Sequence, residues 1–361
     1  MPRAHNFNAG PAALPEEVLE HAREELVDFN ATGMSVMELS HRSADYEAVH
    51  NEAIAGIKEL LNVPEDYEVL LLQGGASLQF PMIPMNFLPE NQTANYVLTG
   101  SWSEKALKEA KLLGRTKTGA SSGESNYTYI PDVKDIDIDK NDAYVHITSN
   151  NTIFGTQWHN FPQTGAAPLI ADMSSDILSR PIPVEDFSLL YAGAQKNLGP
   201  SGVTVIIIKK EMLKQTPDTV PTVLRYDTHA DKNSLYNTPP TFAVYMLNNV
   251  LKWIKRHGGA EGMKKRNEEK AELLYHTIDN SNGFYTGHAE KESRSAMNVT
   301  FNLPEEELNK KFLQEAQNAG FTGLNGHRSV GGCRASLYNA VSLESCEALQ
   351  TFMEQFQKNH G

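Results

Sequence analysis

Short apolar strands alternating with helical stretches predict an α/β protein, a large unit built on a mostly parallel sheet and followed by a smaller α+β unit. Three observations carry this. Several strand candidates are apolar on both faces, as strands lying beneath helices are. Helical patterns stand between them. Beyond about residue 258 the strict alternation stops, and helices are interspersed with isolated short strands.

Taken in order, the strand candidates of the large unit are Glu68–Leu72, Tyr96–Thr99, Ala143–Thr148, Leu169–Ala171, Ser188–Tyr191 and Val203–Lys209. Glu104–Leu113 is a helix after the second of them. Phe242, Met246, Val250 and Ile254 share one helical face, and Gly258-Gly259 end that helix. A long polar helix, roughly Glu261–Ile278, bridges to the second unit. Next come a strand at Met297–Asn302, an amphipathic helix carrying Leu308, Phe312 and Ala316, and a short strand near Ala335–Tyr338. The last helix sets Cys346, Leu349, Phe352 and Phe356 on one face. The expected division is a large domain over residues 16–257 and a small domain made of 1–15 and 258–361.

A chain of 361 residues is long enough for two cores. Asp and Glu number 45 against 32 Lys and Arg, a net charge of -13 that argues against nucleic-acid or anionic-membrane partners. A few local arginines still suffice to capture a small anion. Cys333 and Cys346 form no CxxC pair and fit reduced thiols in a cytoplasmic protein. The N-terminus, Met1 to Asn6, has no apolar stretch of a secretory leader, and the longest apolar run, Val203–Ile208, is too short to cross a bilayer. The histidines include no HExxH and no Cys/His cluster with zinc spacing, so no metal is expected.

Three features carry chemistry. The first is Tyr191-Ala192-Gly193-Ala194-Gln195-Lys196-Asn197-Leu198-Gly199-Pro200-Ser201-Gly202. Small residues precede Lys196 and turn formers follow it, so its amine is presented at a strand end, where ligands bind in open α/β sheets. A lysine beside a turn is usually a solvated surface lysine. Here both flanks are apolar and small, and a desolvated lysine makes a good Schiff-base amine. The second is Asp172, closing the strand Leu169–Ala171. Alone it reads as a helix cap. Paired with Lys196 it suits the ring nitrogen of pyridoxal phosphate, which needs a carboxylate. The third is Gly74-Gly75-Ala76-Ser77 after a strand. It matches neither nucleotide-binding glycine pattern and by itself is a tight turn, but it can cup that cofactor's phosphate.

With these stand Asn6-Phe7-Asn8-Ala9-Gly10-Pro11-Ala12, Ser40-His41-Arg42-Ser43, Ala171 to Pro181, and Asn325-Gly326-His327-Arg328-Ser329-Val330-Gly331-Gly332-Cys333-Arg334-Ala335-Ser336. On these segments, in this order and over nearly the whole chain, the sequence resembles the phosphoserine aminotransferase family, pyridoxal-phosphate enzymes of fold type I and class V. The resemblance implies a seven-stranded, mostly parallel sheet and a homodimer with composite active sites. It also implies roles. Trp102 would stack on the pyridine ring and Thr152 would bond the cofactor's phenolic oxygen. Ala76, Ser77 and Gln195 would hold its phosphate, with Asn237 and Thr238 reaching it from the partner subunit. Arg334 would grip the substrate α-carboxylate. His41, Arg42, His327 and Arg328 would receive the substrate phosphate or the glutamate side chain, Arg42 from the neighbouring subunit. Some family members carry arginine where Ser77 stands, so that charge is missing here.

The reaction so implied exchanges an amino group between L-glutamate and 3-phosphohydroxypyruvate, giving O-phospho-L-serine and 2-oxoglutarate. It runs as a ping-pong through Lys196 in serine biosynthesis, with a related step in pyridoxine biosynthesis. Two rivals stand beside it: an aminotransferase for alanine or serine with glyoxylate, and a nucleotide-binding oxidoreductase or binding-only α/β protein.

Overall fold

A computed structural model describes residues 3–361. Met1 and Pro2, which the reading of the N-terminus and of the small domain included, lie outside the described residues. The strands of the main sheet are β1 (Tyr67–Leu72), β2 (Thr93–Leu98), β3 (Arg115–Ser121), β4 (Asp142–Thr148), β5 (Leu169–Asp172), β6 (Leu189–Gly193) and β7 (Thr204–Lys209). Their spatial order is β1-β7-β6-β5-β4-β2-β3, and β7 alone runs antiparallel to both its neighbours. The expected seven-stranded, mostly parallel sheet is therefore present. Six of its strands match candidates from the sequence to within a few residues. β3 was not anticipated: it is a polar edge strand, with little apolar patterning to read.

Strand alternation separates the two faces of the sheet. Val69, Leu71, Val145, Ile147, Leu190, Ala192, Val205 and Ile207 join one core, which receives α1 (Glu16–Glu25), α2 (Ala44–Leu60) and α5 (Thr241–Arg256). Leu70, Leu72, Tyr96, Tyr144, Ile170, Tyr191, Ile206 and Ile208 face the other way, under α3 (Gly75–Phe87) and α4 (Ser101–Ala110). Buried on both sides, each Leu or Ile of these strands contributes about 2 kcal/mol of transfer free energy. Helix α4 starts three residues before the expected Glu104. Ser103 explains it: its hydroxyl accepts from the Thr99 and Gly100 amides at 3.0 and 3.2 Å and caps the turn from within.

A separate core gathers the three-stranded antiparallel sheet of β8 (Thr286–Gly287), β9 (Asn298–Asn302) and β10 (Cys333–Ser336) with α7 (Glu306–Asn318) and α8 (Leu343–His360). Phe7 is buried in it, and His5–Asn6 pair in parallel with Phe321–Thr322. The long helix α6 (Gly259–Asp279) touches both α5 and α8. It is less solvated than its polar composition suggests. Met263, Ala271, Leu274 and Ile278 are buried, and so is Lys270, 1% exposed. The Lys270 ammonium donates to the carbonyls of Leu337, Tyr338 and Val341 at 2.7, 2.8 and 3.0 Å, one acceptor per N–H. Among the described residues no helix is long and apolar enough to cross a membrane.

Candidate active site

The carboxyl ends of β1, β4, β5 and β6 converge on a cavity of about 300 Å³. Lys196 and Asp172 line it, with Ala76, Ser77, Trp102, Thr152, Gln195, His327 and Arg334.

Lys196 sits in the connection of the β6–β7 hairpin. That connection closes through Ala194 N–H to Val203 O at 2.9 Å and Gly199 N–H to Ala194 O at 2.9 Å. Asn197 ties the turn down on both sides, donating to Ser175 O at 3.4 Å and accepting from the Asn339 amide at 3.0 Å. The N-terminal segment lies over the lysine. A Cβ on Gly10, whose φ is +143°, would stand 3.5 Å from Lys196 Cγ, so glycine serves both the backbone and the close approach. The Lys196 amine donates to Thr152 Oγ1 at 2.9 Å and lies 5.9 Å from the centre of the Trp102 ring. Burial brings its pKa down to about 8, against the opposing pull of Asp172; Arg334 adds to the lowering.

Asp172 ends β5 and is buried. Its Oδ1 accepts from the Ser174 amide at 2.9 Å and the Ser174 hydroxyl at 2.6 Å, and the same hydroxyl accepts from Gly193 N–H at 3.1 Å. Ser174 thus joins the acid to the strand that leads to the lysine. Burial raises the Asp172 pKa, opposed by the Ser174 hydrogen bonds and the Lys196 charge. Behind it Asp176, also raised by burial, accepts from Ser149 Oγ and from Gln157 Nε2.

Helix α3 opens beside the cavity without a side-chain cap and without a charged residue in its first turn. Gly74 at φ +91° makes the entry turn, and its absent Cβ leaves room for the Leu78 side chain. The first-turn amides of Gly75, Ala76 and Ser77 have no partner within the helix, the arrangement that suits a phosphate. Three buried polar atoms of the cavity wall also lack a hydrogen bond: Trp102 Nε1, Thr148 Oγ1 and Arg334 Nε. Together with a half-neutral amine and a buried carboxylate, this donor set fits pyridoxal phosphate: amides for its phosphate, Asp172 for its ring nitrogen, Thr152 for its phenolic oxygen.

The opposite wall is cationic. Arg334, on β10, donates to Thr152 O at 3.3 Å and has no carboxylate within 4.0 Å among the described residues. His327 accepts at Nδ1 from the Ser329 amide at 3.2 Å, beside the Ser329 hydroxyl at 2.7 Å, which leaves Nε2 as the protonated nitrogen of the neutral ring. Partial burial and the charges of Arg334, Arg328 and Lys105 hold its pKa below the usual histidine value.

Five expected residues stand off the cavity wall of this chain: His41, Arg42, Asn237, Thr238 and Arg328. Arg42, Asn237, Thr238 and Arg328 are exposed. Thr238 is held through its carbonyl by Gln73 Nε2 at 2.7 Å, next to the turn that opens α3. Several wall residues escaped the sequence reading: Ala9, Gly10, Thr148, Asn150, Ile153, Ser174 and Ser175. Ser174 and Ser175 stand two and three residues after Asp172, a signal close enough to find them. Thr148 and Asn150 come from the end of β4 and become visible only once β4 pairs with β5 in register Thr148 to Asp172.

The aminotransferase class-V family model matches residues 4–349 of the chain. The phosphoserine aminotransferase of Halalkalibacterium halodurans is 66% identical over 360 residues, covering all of both chains. The solved phosphoserine aminotransferase of Bacillus circulans subsp. alkalophilus superposes with a TM-score of 0.98 at 60% identity, over 99% of each chain. A pyridoxal-phosphate-bound phosphoserine aminotransferase from Trichomonas vaginalis is 39% identical with a TM-score of 0.93, covering 98% of this chain and 100% of its own.

Proposed function

The chain belongs to the class-V aminotransferases, with the phosphoserine aminotransferases as its relatives and pyridoxal phosphate as its cofactor, and from that premise we propose the reaction and the residues that carry it. The enzyme moves an amino group from L-glutamate to 3-phosphohydroxypyruvate, releasing 2-oxoglutarate and O-phospho-L-serine, reversibly and in two half-reactions. The observation that carries this reading is one cavity with two unlike ends: an amine beside a buried acid, and a wall of Arg334 and His327 without carboxylates.

The cofactor, when bound, supplies the electron sink that makes a substrate Cα–H acidic. Lys196 is its covalent anchor. Asp172 holds a proton on the ring nitrogen, and Ser174 keeps the carboxylate in place. Ala76, Ser77 and Gln195 hold the phosphate without the arginine that some relatives have at position 77. Helix-terminal amides supply the compensating positive field. Trp102 gives the ring an aromatic face.

Arg334 takes the α-carboxylate, which fixes Cα above the amine. Lys196 Nζ, neutral in a useful fraction near pH 8, removes the Cα proton of the amino acid and returns one to Cα of the oxo acid in the second half. His327 and Arg328 receive the distal anion of either substrate. Both are acidic at that end, so one receptor serves both halves.

A homodimer accounts for the residues that stand off this chain's cavity. His41, Arg42, Asn237 and Thr238 would complete the neighbour's site. The exposed Val27, Met37 and Tyr236, at 81%, 53% and 44%, belong to the same segments and fit a covered surface. Mixing inactive Arg42→Ala chains with inactive Lys196→Ala chains then restores turnover, because one site of each hybrid is intact. A cytoplasmic place in serine synthesis, with a related pyridoxine-forming step, completes the proposal. Comparing 3-phosphohydroxypyruvate with glyoxylate as acceptor tests it. A strong preference for the phosphorylated acceptor is expected; equal use of both would point to a glyoxylate-type enzyme.

A further inference from the structure

Lys105 was not among the expected site residues. It lies on α4 one helical turn beyond Trp102 and has a carboxylate, Glu109, at i+4. It does not pair with Glu109. Among the described residues no carboxylate lies within 4.0 Å of its ammonium, which instead rests 4.2 Å from the centre of the Trp102 ring. Its neighbour Glu104 is engaged by the Tyr127 hydroxyl at 2.5 Å. The Lys105 ammonium is thereby held over Trp102, which lines the same cavity as His327 and packs with Val330, three residues beyond His327, against the Tyr127, Ile153 and Phe154 cluster; its charge is one of those that disfavour protonation of the His327 ring.

We propose that Lys105 is a specificity-determining residue that adds a cation to the distal receptor of His327 and Arg328 and tunes it to a phosphate dianion over a carboxylate. This rests on the substrate class of the reading above, namely an acceptor that carries a phosphate ester. The physical basis is charge number. A cation a few ångströms from the distal group interacts twice as strongly with a dianion as with a monoanion, whereas a neutral hydroxyl gains little. A single partly solvated charge of this kind is worth about five- to tenfold in affinity for a dianion. The aromatic ring restrains the lysine ammonium, so less freedom is lost when the anion arrives.

The test compares the pyridoxal-phosphate-loaded parent with Lys105→Met and Lys105→Arg on two acceptors that differ only in the phosphate, 3-phosphohydroxypyruvate and 3-hydroxypyruvate. Lys105 is exposed, so both variants fold. For Lys105→Met the KM for the phosphorylated acceptor rises about fivefold, that for the unphosphorylated one stays within about twofold, and kcat is retained. Lys105→Arg keeps the parent preference. Inorganic phosphate, titrated calorimetrically into each loaded protein, loses affinity in Lys105→Met by a similar factor. An unchanged acceptor ratio with unchanged phosphate affinity overturns the proposal. Equal weakening of both acceptors also overturns it, since that result makes Lys105 a support for Trp102 alone. A parent with no preference for the phosphorylated acceptor sinks the reaction itself; a parent preference that survives Lys105→Met sinks only the role of Lys105.

Discussion

Lys196 and Lys270 both place an amine inside the protein, one on the wall of the cavity and the other beneath the Leu337–Val341 turn. Lys270 meets three carbonyl oxygens, so each of its N–H bonds is used. Lys196 meets one hydroxyl, at 2.9 Å, with Asp172 as the nearby counter-charge and open space beside it. Burial lowers both pKa values, to about 8 for Lys196 and about 7 for Lys270. For Lys270 the three carbonyls pull the other way, because only an ammonium can satisfy all of them. A fully coordinated buried cation is a tie between elements. An under-coordinated amine next to an acid and a cavity is available for chemistry.

The widest separation of the two comes from activity. Lys196→Ala is expected to abolish transamination, a fall of at least about 10³-fold in steady-state assays. Parent-level turnover in that variant would remove the basis of the mechanism. Lys270→Met reads out in stability: three buried carbonyls lose their donor, and unfolding in urea should show a loss of about 3 kcal/mol. An unchanged midpoint would mean that the Leu337–Val341 turn does not depend on the ammonium.

Lys196→Met should do the reverse in cofactor-free protein. The folded amine has a pKa of about 8, below the ordinary lysine value, so between those two pH values the unfolded chain binds the proton that the folded chain has released. The parent therefore gains stability as pH rises through that window. Lys196→Met lacks the penalty altogether and is more stable than the parent by about 3 kcal/mol at pH 7, a gap that narrows towards pH 10. Thermal unfolding at several pH values measures it, and a constant gap would show that the amine is not desolvated. The smallest effect belongs to Thr152→Val. Losing the one hydroxyl acceptor lowers the Lys196 pKa further, visible as faster amine labelling of cofactor-free protein at pH 7.

The sheet was legible because its strands are apolar on both faces, and the lysine because small residues and a turn flank it. Asp172 was legible through its position at a strand end. What the sequence concealed is of three physical kinds. The edge strand Arg115–Ser121 has little apolar pattern because much of it meets solvent. Lys270 looks like any charge on a polar helix, and only the arrival of the 337–341 carbonyls identifies it. Thr148 owes its place to a neighbour distant in sequence, Asp172 across a strand pair. The residues expected from family likeness alone, His41, Arg42, Asn237 and Thr238, have no local signature of function, and in a single chain they do not meet the cavity.

The single antiparallel strand of the main sheet has a consequence for how the chain assembles. β6 and β7 form a hairpin, so the loop bearing Lys196 is closed by contacts as local as Gly193 with Thr204. The turn that opens α3 comes from more than 120 residues earlier in the chain, brought alongside when Leu72 pairs with Thr204. Local closure is fast and distant pairing slow. The reactive amine is therefore housed early and the phosphate cup arrives late. In a refolding reaction, capture of the cofactor marks the docking of β1 onto β7, and the yellow colour of the bound cofactor serves as a clock for that long-range step.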